Sequence, residues 1–291
     1  MRKASFFWII ALIGLITNIS CSSDDNSSTD ETDYLDAEIR LDVSYGIHGQ
    51  HTYDLYLPAG RSSEFTKVIM LIHGGGWTSG DKSDMNAAVS VIQSLHPDYA
   101  IVNVNYMLAT IDIPAFPNQF LDIKTIVQKL TTEKEALQIN PEFGLIGVSA
   151  GAHIAMMYDY VYDTNNQVKF VANIVGPTDF TDPFYTEDPN FEILLALLVD
   201  ENAYPPGTDY SQAVSPLYQV TASSSPTCLF FGTEDPLIPI SNGINLHQKL
   251  MDYSVDTTLK IYQGGHGDDW SQTDVLDMYG IISGYIVEYL P

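Results

Sequence analysis

The stretch FGLIGVSAGAHIAMM, residues 143–157, joins an apolar strand to an apolar helix through one serine between glycines. Residues 143–148 have the length and composition of a buried strand, and helical sequence begins at Ala150. The pattern G-x-S-x-G is typical of a sharp turn that lifts a serine above a sheet edge, because its glycines leave room for the crowded backbone. The start of the helix would place free N–H groups and partial positive charge beside the serine. The sequence therefore predicts Ser149 as a nucleophile.

Further apolar runs of strand length lie on both sides of this stretch. Continuous apolar runs indicate strands buried on both faces, as in a parallel sheet covered by helices. Helical periodicity fills the gaps, so the alternation predicts a doubly wound α/β sheet. Two alternating segments within residues 39–57, around a glycine-containing loop, predict an antiparallel hairpin before it. The predicted strands are residues 67–72, 100–104, 143–148, 170–175, 227–231 and 258–262, and the predicted helices lie near residues 120–130, 150–162, 241–253 and 272–289.

The catalytic domain is predicted to span residues 38–291, since no internal repeat and no linker divides this part of the chain. The Pro- and Asp-rich segment 178–206, with a helix near residues 191–199, has the character of an insertion after a strand. Loops at the carboxyl ends of parallel strands usually form the site of such a sheet. We therefore predict that the insertion is a small lid-like element.

The sequence HGGGW, residues 73–77, follows the strand that ends at Ile72. Consecutive glycines let the backbone turn its N–H groups toward a substrate carbonyl. The pattern resembles the oxyanion loop of lipases and esterases. That resemblance implies that Gly75 and Gly76 donate N–H groups together with Ala150, the residue after the serine. His73 is interpreted as orienting this loop, and Trp77 as packing against it.

A serine nucleophile needs a base, and the base needs an acid that orients it. Where the serine lies on such a turn, the acid and the histidine follow it along the chain in that order. Asp235 follows the fifth predicted strand and His266 follows the sixth, so both lie where strands end. Glu234 is the alternative acid, but alternation along the chain should point it elsewhere. The other histidines are interpreted as surface or packing residues: His48, His51, His96, His153 and His247.

The first 37 residues have the features of an export and anchoring sequence. Two basic residues precede an apolar run, residues 6–16, which is too short to span a bilayer but suits a signal peptide. Residues 19–21 resemble a bacterial lipobox, which implies removal of residues 1–20 and lipidation of Cys21. Residues 21–37 are rich in Ser and Asp and are predicted to be a flexible tether. We expect a lipid-anchored protein of the outer membrane, on its periplasmic or outer side; an ordinary secretory signal is the alternative.

The charge of the chain excludes several classes of protein. Its 291 residues include 12 Lys and Arg against 37 Asp and Glu, for a net charge of −25. Such a chain repels phosphate backbones, so no nucleic-acid partner is expected, and membrane contact is expected only through the lipid anchor. No metal-binding or nucleotide-binding motif is found, so neither a metal nor a cofactor is predicted. Cys228, in an apolar run, is interpreted as a buried structural thiol.

Taken together, these motifs resemble the α/β-hydrolase fold, in its esterase branch of hormone-sensitive-lipase-like and feruloyl-esterase-like (BD-FAE, kynurenine-formamidase-like) enzymes. The resemblance runs from about Val43 to the C-terminus. Met107 stands where an arginine is usual and Thr110 where proline is common, which puts a neighbouring salt bridge in doubt. The motifs that carry the resemblance are YDLYLP at 53–58, HGGGW at 73–77 with GDK at 80–82, NYML at 105–108, FP at 116–117 with Asp122, GTEDP at 232–236, and His266.

This resemblance implies hydrolysis of carboxyl esters through an acyl-enzyme, without a cofactor. The expected substrates are small-molecule or carbohydrate esters with short acyl or aryl groups. A serine peptidase or amidase using the same three residues is one alternative. A non-catalytic, glycan-binding surface lipoprotein is another, although degenerate members of the fold generally lose the serine, the histidine or the glycines, all of which this chain retains.

Overall fold

The structure is a computed structural model that describes residues 35–291. Its strands are β1 (Glu38–Ser44), β2 (Thr52–Leu57), β3 (Val68–Ile72), β4 (Ala100–Val104), β5 (Phe143–Val148), β6 (Val168–Ile174), β7 (Thr227–Gly232) and β8 (Thr257–Tyr262). Within these residues the eight strands form one sheet, in the order β1-β2-β4-β3-β5-β6-β7-β8. β2 pairs antiparallel with β1 and β4, and all other neighbours are parallel. The predicted mostly parallel sheet with an antiparallel hairpin is confirmed.

Helices cover both faces of the sheet. They are α1 (Asn86–Leu95), α2 (Asn118–Leu137), α3 (Ala150–Met157), α4 (Pro183–Thr186), α5 (Phe191–Leu198), α6 (Tyr210–Ala213), α7 (Pro216–Gln219), α8 (Ile240–Asp252) and α9 (Gln272–Tyr289). Along β3, Met70 packs into a core with α2, α3 and α8, whereas its neighbours Ile69 and Leu71 pack into a second core with α1 and α9. Successive side chains of a strand point to opposite faces, so an uninterrupted apolar strand supplies both cores.

Two helices differ from the sequence prediction. The predicted helix over residues 150–162 is α-helical only to Met157, and Tyr158–Tyr162 form a π-helical turn. In that turn the N–H of Asp163 donates to the carbonyl of Tyr158, five residues earlier, at 2.9 Å. Helix α1 was not specified from the sequence. It buries only a narrow stripe, Ala88, Val89 and Ile92, which packs into the second core.

The insertion is longer than predicted. The whole segment between β6 and β7 lies outside the sheet and contains α4 to α7, and α5 confirms the helix expected near residues 191–199. Phe116, just before α2, exchanges backbone hydrogen bonds with this segment: its N–H donates to Leu198, and its carbonyl accepts from Asp200, both at 2.8 Å. The insertion is therefore held beside the carboxyl ends of the strands. A role as a lid stays a prediction.

Predictions for the first residues fall outside the described part of the chain. The signal peptide 1–20, the lipidated Cys21 and most of the tether 21–37 lie before residue 35. β1 begins at Glu38, where the domain was expected to start. Among residues 35–291, no helix combines the length and the apolar character needed to cross a bilayer.

Candidate active site

Ser149 lies on the sharp turn between β5 and α3. Its backbone angles, φ 53° and ψ −120°, fall in a region that residues with a side chain rarely occupy. Both flanking glycines are required, because a Cβ on Gly147 would collide with the backbone of Ala152, and one on Gly151 with the carbonyl of Ile72. The N–H of Ser149 donates to the carbonyl of Ile174 on β6 at 2.8 Å, which secures the turn to the sheet.

The loops after β7 and β8 bring an aspartate and a histidine to this serine. His266 Nε2 lies 2.9 Å from Ser149 Oγ, and His266 Nδ1 lies 2.7 Å from Asp235 Oδ2. Since a carboxylate accepts and does not donate, this contact assigns the ring proton to Nδ1 and leaves Nε2 free to accept the serine proton. The three residues that the sequence predicted to converge thus lie together, with His266 in hydrogen-bonding distance of both Asp235 and Ser149.

The side chain of Asp235 is fully buried, yet its environment favours the charged form. Burial by itself raises the pKa of this carboxyl group. The hydrogen bond from His266 opposes that effect, as do the N–H groups of Leu237 and Ile238, which donate to Oδ1 at 2.8 and 3.0 Å. The net result is a pKa below the usual value for aspartate, so Asp235 is ionised at neutral pH.

Glu234, the alternative acid, points away from the histidine. Its side chain is exposed and accepts a hydrogen bond from Gln263 Nε2 at 2.6 Å. Its N–H donates to the carbonyl of Gly264 at 2.8 Å, which joins the two loops. A Cβ on Gly232, just before this loop, would collide with the carbonyl of Gly265, so glycine is needed where the two loops meet.

The glycine loop after β3 lies against the serine. A Cβ on Gly74 would be 3.2 Å from Ser149 Cβ, and Gly75 and Gly76 both have positive φ, 114° and 57°. The carbonyl of Gly75 is held by the N–H of Ser79 at 3.0 Å. Over residues 35–291, the N–H groups of Gly75, Gly76 and Ala150 have no protein acceptor. These three predicted donors are therefore available to a substrate oxygen.

Two histidines near the glycine loop, His73 and His153, make hydrogen bonds and ring contacts within the protein. His73 Nδ1 donates to the carbonyl of Gly74 at 2.6 Å, and its ring stacks on Tyr106 at 4.3 Å, which fits a role in orienting the loop. His153 is fully buried. Its Nδ1 accepts from the indole of Trp77 at 3.2 Å and its Nε2 donates to the carbonyl of Val214 at 2.7 Å. Burial lowers the pKa of His153 to about 4, so the ring is neutral, and the rings of His153 and Trp77 pack edge to face.

Backbone hydrogen bonds hold Met107, the residue that stands where an arginine is usual. Asp122 Oδ2 accepts the N–H of Met107 at 2.9 Å, and Asp122 Oδ1 lies 3.3 Å from His51 Nε2. Gln119 Nε2 also donates to the carbonyl of Met107, at 2.8 Å. Position 107 is therefore held through its main chain, without the salt bridge that an arginine there would make.

A cavity of about 570 Å³ opens beside Ser149 and is called the serine cavity here. The insertion forms most of its wall, and in α5 only Leu195 is buried although nearly every residue is apolar. That apolar helix was the one sequence signal for the cavity, because its other walls come from distant segments. The lining residues are Gly76, Trp77, Thr78, Ser149, Pro177, Phe180, Tyr185, Phe191, Leu194, Leu195, Leu197, Leu198, Leu237 and Ile238.

Two further features of residues 35–291 bear on their chemistry: the grouping of potential metal ligands and the environment of Cys228. Among residues 35–291, no three His, Cys, Asp or Glu side chains are grouped so that they could hold a metal ion. Cys228 is buried in β7, and burial raises the pKa of its thiol far above the usual value, which agrees with an inert structural role.

The fold, with Ser149 on the sharp turn between β5 and α3, defines an α/β-hydrolase. Residues 53–250 match the family model described as BD-FAE. The chain belongs to this family, and the resemblance predicted from its motifs is confirmed.

Curated relatives and solved structures agree with this class. Esterase LipC of Mycobacterium tuberculosis is 22% identical and covers 79% of this chain, which spans 60% of that protein. Arylacetamide deacetylase of Bos taurus is 25% identical over 65% of the chain, which spans 46% of the relative. The non-reducing polyketide synthase trt4 of Aspergillus terreus matches 73% of the chain at 24% identity, although the chain spans only 12% of it.

Among solved structures, a truncated carbohydrate esterase from gut microbiota superposes with a TM-score of 0.70 at 18% identity, covering 88% of this chain and 99% of its own. An esterase of Thermogutta terrifontis superposes with a TM-score of 0.68 at 19% identity, covering 87% and 94%. At such identities the likeness is one of fold.

Proposed function

We propose that the protein is a serine carboxylesterase that hydrolyses short-chain acyl or aryl esters through an acyl-enzyme. The observation that carries this proposal is the continuous path of contacts from Asp235 through His266 to Ser149, with distances of 2.7 and 2.9 Å. Family membership and the esterase relatives support it.

In the first half of the reaction Ser149 Oγ attacks the ester carbonyl carbon while His266 Nε2 accepts the serine proton. The carbonyl oxygen becomes an oxyanion, which the N–H groups of Gly75, Gly76 and Ala150 stabilise. The bond to the alkoxy oxygen then breaks, and His266 returns the proton to that oxygen, so that a neutral alcohol leaves. Water repeats the sequence on the acyl-enzyme and releases the acid and the free serine.

Asp235 serves both halves without changing its own protonation. Its Oδ2 keeps the Nδ1 proton of His266 in place and stabilises the imidazolium that forms when Nε2 is protonated. Because its pKa is held below the usual value, the carboxylate is available throughout the neutral range. The N–H groups of Leu237 and Ile238 fix its second oxygen and therefore its orientation.

The test uses p-nitrophenyl acetate. We expect the wild-type protein to hydrolyse it and the variant Ser149→Ala to lose about 10⁴-fold or more in kcat. Ser90→Ala is the matched control, because Ser90 is exposed on α1 and donates only to Asn86 within its own helix. Equal activity in Ser149→Ala and wild type would refute the assignment of the nucleophile.

The same purified protein distinguishes an esterase from two alternatives, an amidase and a non-catalytic binding protein. Amide hydrolysis is the first alternative, because one relative is named an arylacetamide deacetylase. The ratio of kcat/KM for a matched ester and anilide of acetic acid measures the preference between ester and amide. A non-catalytic binding protein would hydrolyse neither. A fluorophosphonate probe should label wild type but not Ser149→Ala, whereas a binding protein would remain unlabelled.

We also propose that the protein is exported and lipid-anchored through Cys21, on the support of its N-terminal sequence alone. The two cysteines of the chain provide the comparison. Metabolic labelling with an alkyne fatty acid in a bacterial host should be lost in Cys21→Ser and kept in Cys228→Ser. Label that persists in Cys21→Ser would contradict the anchor.

A further inference from the structure

The serine and the histidine of the site face two different cavities. Ser149 lines the serine cavity, on the side of the insertion. His266 and Gly267 line a second cavity of about 360 Å³, called the histidine cavity here, which lies between α1 and α9. Its wall is largely apolar and includes Met85, Ala88, Ile92, Trp270, Met278 and Tyr279.

The chemistry of ester cleavage assigns a different half of the substrate to each residue. The acyl carbon becomes bonded to Ser149 Oγ, so the acyl group must extend from the serine. The alkoxy oxygen takes its proton from His266 Nε2, so the alcohol must leave from the side of the histidine. Since the two atoms are 2.9 Å apart, a single ester can reach both at once.

We propose that the histidine cavity binds the alcohol half of the ester, and that this alcohol is compact, uncharged and apolar or aromatic. This inference rests on the proposed esterase function and adds the class of leaving group to it. A volume of about 360 Å³ lies near the lower end of the roughly 300–1,000 Å³ typical of small-molecule pockets, which favours a compact group.

The lining explains the preference. Ile146, Val148 and Ile174 form the wall on the side of the sheet, and they offer no side-chain hydrogen-bonding group. A leaving group with many hydroxyls, such as a sugar, would lose its water along this apolar wall and regain hydrogen bonds only at the few polar side chains of the lining. The carboxylates of Asp84 and Asp268 also line the cavity, and in a chain with a net charge of −25 they disfavour an anionic alcohol.

The experiment compares acetates that differ only in the alcohol: ethyl acetate, benzyl acetate, 4-carboxybenzyl acetate and an acetylated methyl glucoside. Because the acyl group is constant, differences in kcat/KM report the alcohol side. We expect benzyl acetate to exceed each of the others by about 10-fold or more, the scale at which a hydrophobic pocket separates alcohols by a few apolar groups. A glucoside or carboxybenzyl ester that matches benzyl acetate would overturn the proposal.

Variants test whether the histidine cavity is the source of the preference for the alcohol. Ala87 lines the histidine cavity from an exposed position of α1, so Ala87→Trp narrows the cavity without disturbing the core. We expect it to lower the ratio of kcat/KM for benzyl over ethyl acetate about 10-fold. Ser90→Trp, exposed on the same helix but outside the cavity, should leave that ratio unchanged. A ratio unaffected by Ala87→Trp would overturn the assignment of this cavity.

A corresponding substitution in the serine cavity tests the acyl side. Leu194 lines the serine cavity and is 55% exposed, so Leu194→Trp should alter the preference for butyrate over acetate esters and leave the benzyl-to-ethyl ratio unchanged. If instead Leu194→Trp alters the alcohol preference, the two cavities are assigned wrongly. If wild type hydrolyses none of these esters and is not labelled by a fluorophosphonate, the esterase function itself fails.

Discussion

Two aspartates at opposite ends of the sheet have buried side chains, but their protonation differs. Asp235, at the carboxyl end of β7, accepts hydrogen bonds from His266, Leu237 and Ile238. Asp159, near the amino ends of β6 and β7, accepts only from Ser225, through its N–H at 3.0 Å and its Oγ at 2.7 Å. Burial raises both pKa values, yet the final pKa is below the usual value for Asp235 and about 7 for Asp159.

The difference shows that donors, and not burial alone, determine the charge of an aspartate in this protein. Asp159 borders a polar cavity of about 770 Å³, and Lys169, which lines the same cavity, pairs with Glu142 instead. In its neutral form it can donate to Ser225 Oγ, which lies 3.0 Å from the carbonyl of Val168 and can pass the hydrogen bond on. A proton therefore completes the network at this end of the sheet, whereas at the other end the proposed reaction uses the negative charge of Asp235.

Asp→Asn at each of these two positions tests the comparison, and the larger effect is expected at Asp235. In Asp235→Asn, the amide cannot hold the imidazole tautomer that leaves Nε2 free, so we expect kcat to fall about 10³- to 10⁴-fold. Kinetics on p-nitrophenyl acetate measure the loss. Glu234→Gln, at the exposed neighbour, is the control and should retain activity. A comparable loss in Glu234→Gln would show that the acid has been misassigned.

Asp159→Asn should affect stability and leave turnover nearly unchanged. Because the pKa of Asp159 is about 7 in the folded chain and about 3.8 when unfolded, its stabilising contribution is complete below about pH 4 and is lost as the pH rises through 7. In wild type this lowers the free energy of unfolding by at most about 4 kcal/mol, and the variant should not show the decrease.

Urea unfolding at pH 4, 6 and 8 measures this difference, and comparison with wild type cancels the contributions of other groups. Asparagine can replace neutral aspartate here, accepting from the N–H of Ser225 and donating to its Oγ. Asp98→Asn, at an exposed position, should follow the wild-type curve. If Asp159→Asn loses as much stability as wild type between pH 4 and 8, Asp159 is not the group that titrates near pH 7.

Gly75→Ala tests the glycine loop beside Ser149. A Cβ there would collide with the carbonyl of Ser79, and φ of 114° suits only glycine, so the loop must shift its N–H groups. We expect kcat to fall about 10²-fold, with folding checked by circular dichroism. Gly49→Ala is the matched glycine control, because its added Cβ would contact nothing within 4 Å. Unchanged turnover in Gly75→Ala would remove this loop from the oxyanion site.

The smallest expected effect concerns the neutral histidine beside the site. Trp77→Phe removes the indole N–H that donates to His153 Nδ1 at 3.2 Å and leaves that buried nitrogen without a partner. We expect a decrease of about 1–2 kcal/mol in the free energy of unfolding. The variant is followed by urea unfolding at pH 7, and a stability equal to wild type would mean that the contact contributes nothing.

Much of the candidate site at the carboxyl ends of the strands was predictable, because short stretches of sequence determine its local structure. The turn at Ser149 depends on Gly147 and Gly151, two residues away on either side, and β5 matches the predicted bounds because every one of its residues is apolar or glycine. Asp235 and His266 follow strands in the predicted order, and parallel strands end at one edge. Helix α1 was missed because its buried stripe is narrow, and the insertion was underestimated because its short helices carry little periodicity.

The sequence by itself thus determined the sheet and the turn that presents Ser149, and it predicted which aspartate and which histidine lie beside that serine. The tertiary structure alone decided the charge of Asp159, whose partner Ser225 lies 66 residues away, and the separation of the site into two cavities with walls from distant segments. Backbone geometry follows from neighbouring residues, which the sequence lists in order. A pKa or a cavity depends on atoms that only folding brings together.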